Sequence, residues 1–82
     1  MKAQIIITPK KAVLDPQGKT VQSALEHLGH PGIKAVHVGK FLEIEIEGDQ
    51  DVESVKTQMH EACRRFLTNP VIEDYTLEIL PS

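Results

Sequence analysis

The chain has 82 residues, 9 Lys and Arg against 12 Asp and Glu, 40% hydrophobic side chains, few aromatics, no Trp and one Cys. That length provides for one domain over residues 1–82 with one core, at an expected radius of gyration of about 12 Å, and little interior to enclose a nucleotide-sized substrate. The net charge of −3 argues against nucleic-acid binding, a lone cysteine makes no internal disulfide, and Ile5-Ile6-Ile7 is too short for a signal peptide or a membrane span, so the expectation is a cytoplasmic domain.

The first element runs from Lys2 to Thr8, where the β-branched isoleucines suit a strand that ends at Pro9. In Leu14-Asp15-Pro16-Gln17-Gly18, Asp15 caps a helix and Pro16 takes its first position, where a missing N–H costs nothing. Val21, Ala24, Leu25 and Leu28 then fall on one helical face, with Gly29 and Pro31 as stop signals. From Lys34 to Glu47 the period becomes two. Val36, Val38, Leu42, Ile44 and Ile46 share one parity; His37, Glu43, Glu45 and Glu47 share the other. Gly39-Lys40 interrupts this run, either as a tight turn between two antiparallel strands or as a bend in one long strand. Gly48-Asp49 opens a second helix with the apolar stripe Val52, Val55, Met59, Ala62, Cys63 and Phe66, which Asn69-Pro70 stops. Tyr75 to Ile79 closes the pattern as an alternating strand.

The expected fold is therefore α+β and ferredoxin-like, β-α-β-β-α-β, a four-stranded antiparallel sheet with two helices on one face. Ile6, Phe41 and Leu80 would then lie on the uncovered face among glutamates. Apolar groups on an open sheet mark contact sites, so a homo-oligomer with sheets stacked face to face is expected.

None of the candidate chemistries is assembled by the sequence alone. Cys63 sits in an apolar stripe and reads as a buried hydrophobe. His27, His30, His37 and His60 lack the further ligands a metal needs at a recognisable spacing. Gly39-Lys40 lacks both the upstream glycine and the following Ser or Thr of a phosphate loop. Glu43, Glu45 and Glu47 are evenly spaced, without the asymmetry that acid/base catalysis requires. An RNA-recognition domain shares the element order, but Phe41 stands without a second stacking aromatic and beside acids. No nucleophile–base pair emerges, which disfavours an enzyme acting by itself. A free-standing small-molecule-binding regulatory domain of this topology is the alternative to an interaction subunit.

Three segments go further. Leu14-Asp15-Pro16-Gln17-Gly18, Val38-Gly39-Lys40-Phe41-Leu42-Glu43 and Asn69-Pro70-Val71-Ile72-Glu73-Asp74-Tyr75 together resemble the small PurS subunits of phosphoribosylformylglycinamidine synthase in order, spacing and total length. The resemblance implies a non-catalytic part of de novo purine synthesis. It implies a glutaminase subunit and a large synthetase subunit as partners, self-association to a dimer or tetramer, and no nucleic-acid or membrane partner. It also implies ATP, Mg2+ and glutamine as requirements of the complex, with no cofactor, metal or catalytic residue in this chain, and assistance to ammonia transfer. Gln17, Lys40, Glu73, Asp74 and Tyr75, polar or amphipathic and near turns, are the candidates for partner contact. Asp15, Pro16, Gly18, Gly39, Asn69 and Pro70 read as structural.

Overall fold

The computed structural model describes residues 1–81. Strand β1 (Lys2–Pro9) is central in a three-stranded sheet, between β2 (Lys40–Glu45) and β3 (Glu73–Leu80), both antiparallel to it. Ile5 stands opposite Leu42 and Leu77, and Ile7 opposite Lys40 and Tyr75. At the far end Lys2 pairs with Leu80. Because side chains alternate along each strand, one face carries Ala3, Ile5, Ile7, Leu42, Ile44, Leu77 and Ile79. Helix α2 (Val52–Ala62) covers it, and Ala3, Ile5, Ile7, Val55 and Cys63 are buried. The other face bears Ile6 paired with Phe41, the expected parity, with Lys2 bridging to Glu43 at 3.6 Å.

Both helices start at an aspartate whose carboxylate accepts a first-turn N–H. Asp15 caps α1 (Pro16–His27), with Pro16 in its first turn, and Gly29 ends it at φ +84°. Asp51, two residues beyond the expected Asp49, caps α2 through Ser54 N at 3.1 Å. Beyond Ala62 the helix widens into a π turn over Cys63–Leu67, closed by Thr68 N to the Cys63 carbonyl at 3.1 Å. The extra residue in this turn rotates the side chains after it about the helix axis. Phe66, expected on the buried stripe, is exposed, and Leu67 packs against the core instead.

Two further expectations need correction. Residues 34–38 pair with no strand among the described residues, so the sheet has three strands and the ferredoxin-like order is incomplete. Gly39-Lys40 is not a hairpin turn either. The chain runs through it into β2, with Gly39 so close to the Ile7 carbonyl that a Cβ would lie 2.2 Å from that oxygen. The segment is held by α1: the Val38 N–H donates to Asp15 Oδ2 at 2.8 Å, and Gln22 Nε2 donates to the Ile33 carbonyl at 3.3 Å. Asp15 thus takes up an N–H that a sheet ladder would have used.

Helix α1 does not lie on the sheet as the second covering helix. Only Gly18 in it is buried, and Val21 and Leu28 are exposed. Helix and segment together form an arm, which accounts for a radius of gyration of 16.3 Å and dimensions of 51 × 27 × 15 Å in place of a compact body.

Candidate functional site

The residues singled out in the sequence fall into two groups, both rooted at the same end of the sheet. The register sets this directly. Lys40 and Tyr75 flank Ile7 on either side, Asp74 stands opposite Thr8, and Glu73 opposite Pro9. Two strand spacings separate Lys40 from Tyr75, about 10 Å. The arm leaves from this end too, after Pro9, and returns to it at Lys40.

The first group is the root of the arm. Asp15 Oδ1 accepts the Gly18 N–H at 3.0 Å while Oδ2 accepts that of Val38. These two backbone donors, Val38 foremost, hold its carboxyl below the usual value, with His37 adding a smaller favourable charge against a modest opposing cost of burial. Gly18 is required by close approach: a Cβ there would lie 2.0 Å from the Val36 carbonyl oxygen. Pro16 takes the first turn, and Gln17 is exposed on it.

The second group is a self-contained turn after the π turn. The Asn69 carbonyl accepts from Ile72 N at 3.0 Å and from Glu73 N at 2.7 Å, and its side-chain Oδ1 accepts from Val71 N at 3.2 Å. Glu73 returns the contact, its Oε1 accepting the Asn69 N–H at 2.8 Å. Asp74 accepts from Lys10 Nζ at 2.7 Å, and the Tyr75 hydroxyl shares a 2.8 Å hydrogen bond with His60 Nδ1, ring centres 5.8 Å apart. Arg64, Thr68, Pro70, Glu73, Asp74 and Tyr75 edge a shallow cleft of about 420 Å³.

Sequence reasoning missed Lys10 and His60 in this group. Lys10 is 64 residues from Asp74, and no local pattern announces such a pair. His60 enters the sequence reading only as a metal ligand or a surface histidine, although its place one residue after Met59 on a sheet-facing stripe is a usable signal. Cys63 is fully buried, and burial pushes its thiol above the ordinary value with only weak opposition from Arg64. Among the described residues no three His, Cys, Asp or Glu side chains converge as a metal set would. The arrangement presents polar groups fixed by one another, with Gln17 and Lys40 exposed beside them. Such a surface can bind a partner.

Comparison with known proteins supplies the context. Residues 2–81 match the family model described as PurS, phosphoribosylformylglycinamidine (FGAM) synthase. The phosphoribosylformylglycinamidine synthase subunit PurS of Methanocaldococcus jannaschii is 44% identical over 78 residues, 95% of this chain and 93% of that protein. Its crystal structure, that of a subunit of formylglycinamide ribonucleotide amidotransferase in the purine biosynthetic pathway, aligns with a TM-score of 0.78 at 43% identity, covering 94% of this chain and 92% of the other. A chain in the structure of PurLQS from Thermotoga maritima aligns with a TM-score of 0.82 at 32% identity, covering 96% and 95%.

Proposed function

The chain belongs to the PurS family of FGAM synthase subunits, and from this premise we propose that it works as the connector of that enzyme, joining a glutaminase subunit to a large synthetase subunit. The complex is an ATP-dependent C–N ligase. It converts formylglycinamide ribonucleotide, glutamine, ATP and water to formylglycinamidine ribonucleotide, glutamate, ADP and phosphate in the cytoplasm. We assign ATP, Mg2+ and glutamine to the larger subunits. The observation that carries this reading is the match along nearly the whole chain to a subunit solved within PurLQS.

A connector has a definite physical task. Ammonia released into water is diluted and protonated, so holding the donor and acceptor sites together with water excluded raises the fraction that reacts. Shape suffices for this, and no nucleophile is needed. Gln17, Lys40, Glu73, Asp74 and Tyr75 are the proposed contacts, gathered at one sheet end and at the arm's root. The test is reconstitution. The purified chain alone should turn over no substrate, and it should restore glutamine-dependent synthesis to the two larger subunits. Equal use of glutamine without it would refute the role.

We also propose that the subunit self-associates through its arm. Val21 on α1 and Leu28 at its C-terminal cap are exposed, while Leu42 and Ile44 on the α2-covered face are only half-buried. A second copy's α1 laid over that half, with its residues 34–38 beside the free edge of β2, would supply the second helix and fourth strand of the ferredoxin-like layer. Exchanged reciprocally, this closes a two-fold dimer. Stacking of the Ile6–Phe41 faces would extend the dimer to a tetramer. Leu28→Asp should shift the sedimenting species to the monomer; an unchanged species would refute the arm contact.

A further inference from the structure

Three of the chain's lysines, Lys11, Lys19 and Lys34, line one cleft of about 350 Å³ together with His37. The cleft lies between the loop after β1, the first half of α1 and the extended segment that follows it. Of the chain's nine lysines and arginines, Lys2, Lys10 and Arg65 are engaged in ion pairs among the described residues. Half of the remaining six therefore face a single cavity, in a molecule whose net charge is −3. Such a concentration is the reverse of what composition leads one to expect.

Among the described residues one acid lines the cleft, Asp15, and it offsets one of the three charges without forming an ion pair with any of these lysines. Asp15 has one carboxylate oxygen on the Gly18 N–H and the other on the Val38 N–H. It also occupies the N-terminus of α1, so the lysines, and not the helix end, are the available anion ligands. The wall is fixed in place, since Gly18 sits directly against the Val36 backbone. Val13, Leu14, Ala35 and Val36 add apolar surface beside the cations. Small-molecule sites begin at about 300 Å³ and combine apolar walls with a few polar groups. Lysine serves as a point-charge ligand for phosphate.

We propose that this cleft binds the phosphoryl group of a small phosphorylated molecule, with Lys11, Lys19 and Lys34 as its ligands and the apolar wall against the rest of the ligand. With Asp15 counted, three lysines leave a surplus of two positive charges, which matches a phosphate dianion. The site is separate from the Asn69–Tyr75 surface and does not depend on the connector role.

The test needs only the full chain in its native oligomer. Isotope-labelled protein is titrated with inorganic phosphate and with pyrophosphate, against chloride at matched ionic strength. Saturable amide shifts are expected in residues 11–19 and 34–37, with pyrophosphate the tighter ligand. Lys19→Gln combined with Lys34→Gln should weaken binding about tenfold, and Lys56→Gln should leave it unchanged. If the double variant does not fold, Lys11→Gln alone serves, with a loss of about threefold. The proposal is overturned by an absence of saturation, by shifts spread equally over Lys40 and Lys56, or by identical titrations in the lysine variants. Saturable binding of a polyglutamate peptide without binding of either phosphate probe would also overturn it, in favour of an acidic protein segment.

Discussion

Substituting Gly18 by alanine sets two well-defined effects against each other. In an isolated helix the change stabilises by about 1 kcal/mol, because glycine is the poorer helix former. Here the new Cβ would stand 2.0 Å from the Val36 carbonyl oxygen, where ordinary contact begins at 3.4 Å. The extended segment must then withdraw by about 1.4 Å, the difference of those distances, or α1 must tilt by as much. Overpacking of this kind costs about 1–3 kcal/mol. It also carries the Val38 N–H away from Asp15, now 2.8 Å distant. Crowding and the loss of that hydrogen bond, about 0.5–1.5 kcal/mol, together outweigh propensity, and a net loss of about 2 kcal/mol is expected. For a domain of this size that lowers Tm by about 5–15 °C. Calorimetry gives the stability, and hydrogen exchange at the Val38 amide locates it: exchange there should accelerate well before that of Ile5. A variant as stable as the parent, with Val38 still protected, would refute the packing of the arm.

Tyr75→Phe removes the hydroxyl bonded to His60 Nδ1; a loss of about 0.5–1.5 kcal/mol in denaturant unfolding is expected, with the His60 ring signals moved. Asp15, its carboxyl held below 3.8 by backbone donors, supports the arm when ionised. That support is complete above the ordinary carboxylate value and is lost as pH falls through the depressed one, so the Gly18 and Val38 amide signals should shift on acidification past 3.8 and stay level in Asp15→Asn. Cys63, fully buried with a raised thiol pKa, should alkylate slowly in the native protein and rapidly in denaturant; fast native labelling would contradict its place in the core.

Local signals carried the elements well. Pro16 and Gly29 mark the ends of α1 because their backbone restrictions act wherever they occur, and alternation places Ile5 and Ile7 inside with Ile6 outside. The misreadings arise where distant groups compete. Alternation across Val36 and Val38 indicates an extended chain, which is right, yet it cannot reveal that an aspartate 23 residues earlier holds the Val38 N–H. The stripe on α1 is correctly helical, but what covers it is not written in its periodicity. Phe66 goes astray for a subtler reason: one π turn shifts the helical phase, and a 3.6-residue template carried past Ala62 points to the wrong face. Among the candidate site residues, the capping of Asp15 and the stop at Asn69-Pro70 were legible from neighbours in sequence. The Lys10–Asp74 and His60–Tyr75 pairings required the fold.

The pairing of Lys2 with Leu80 across the central strand has a consequence for the order of assembly. The central strand needs partners on both flanks, and its partners in β3 follow it by 64 positions (Pro9 to Glu73) to 78 positions (Lys2 to Leu80). Until β3 docks, β1 exposes a β-branched, isoleucine-rich ribbon with an unsatisfied edge, so a partly folded chain is open to aggregation there. Its final closure joins contacts far apart along the backbone, which makes for slow folding in a protein this small.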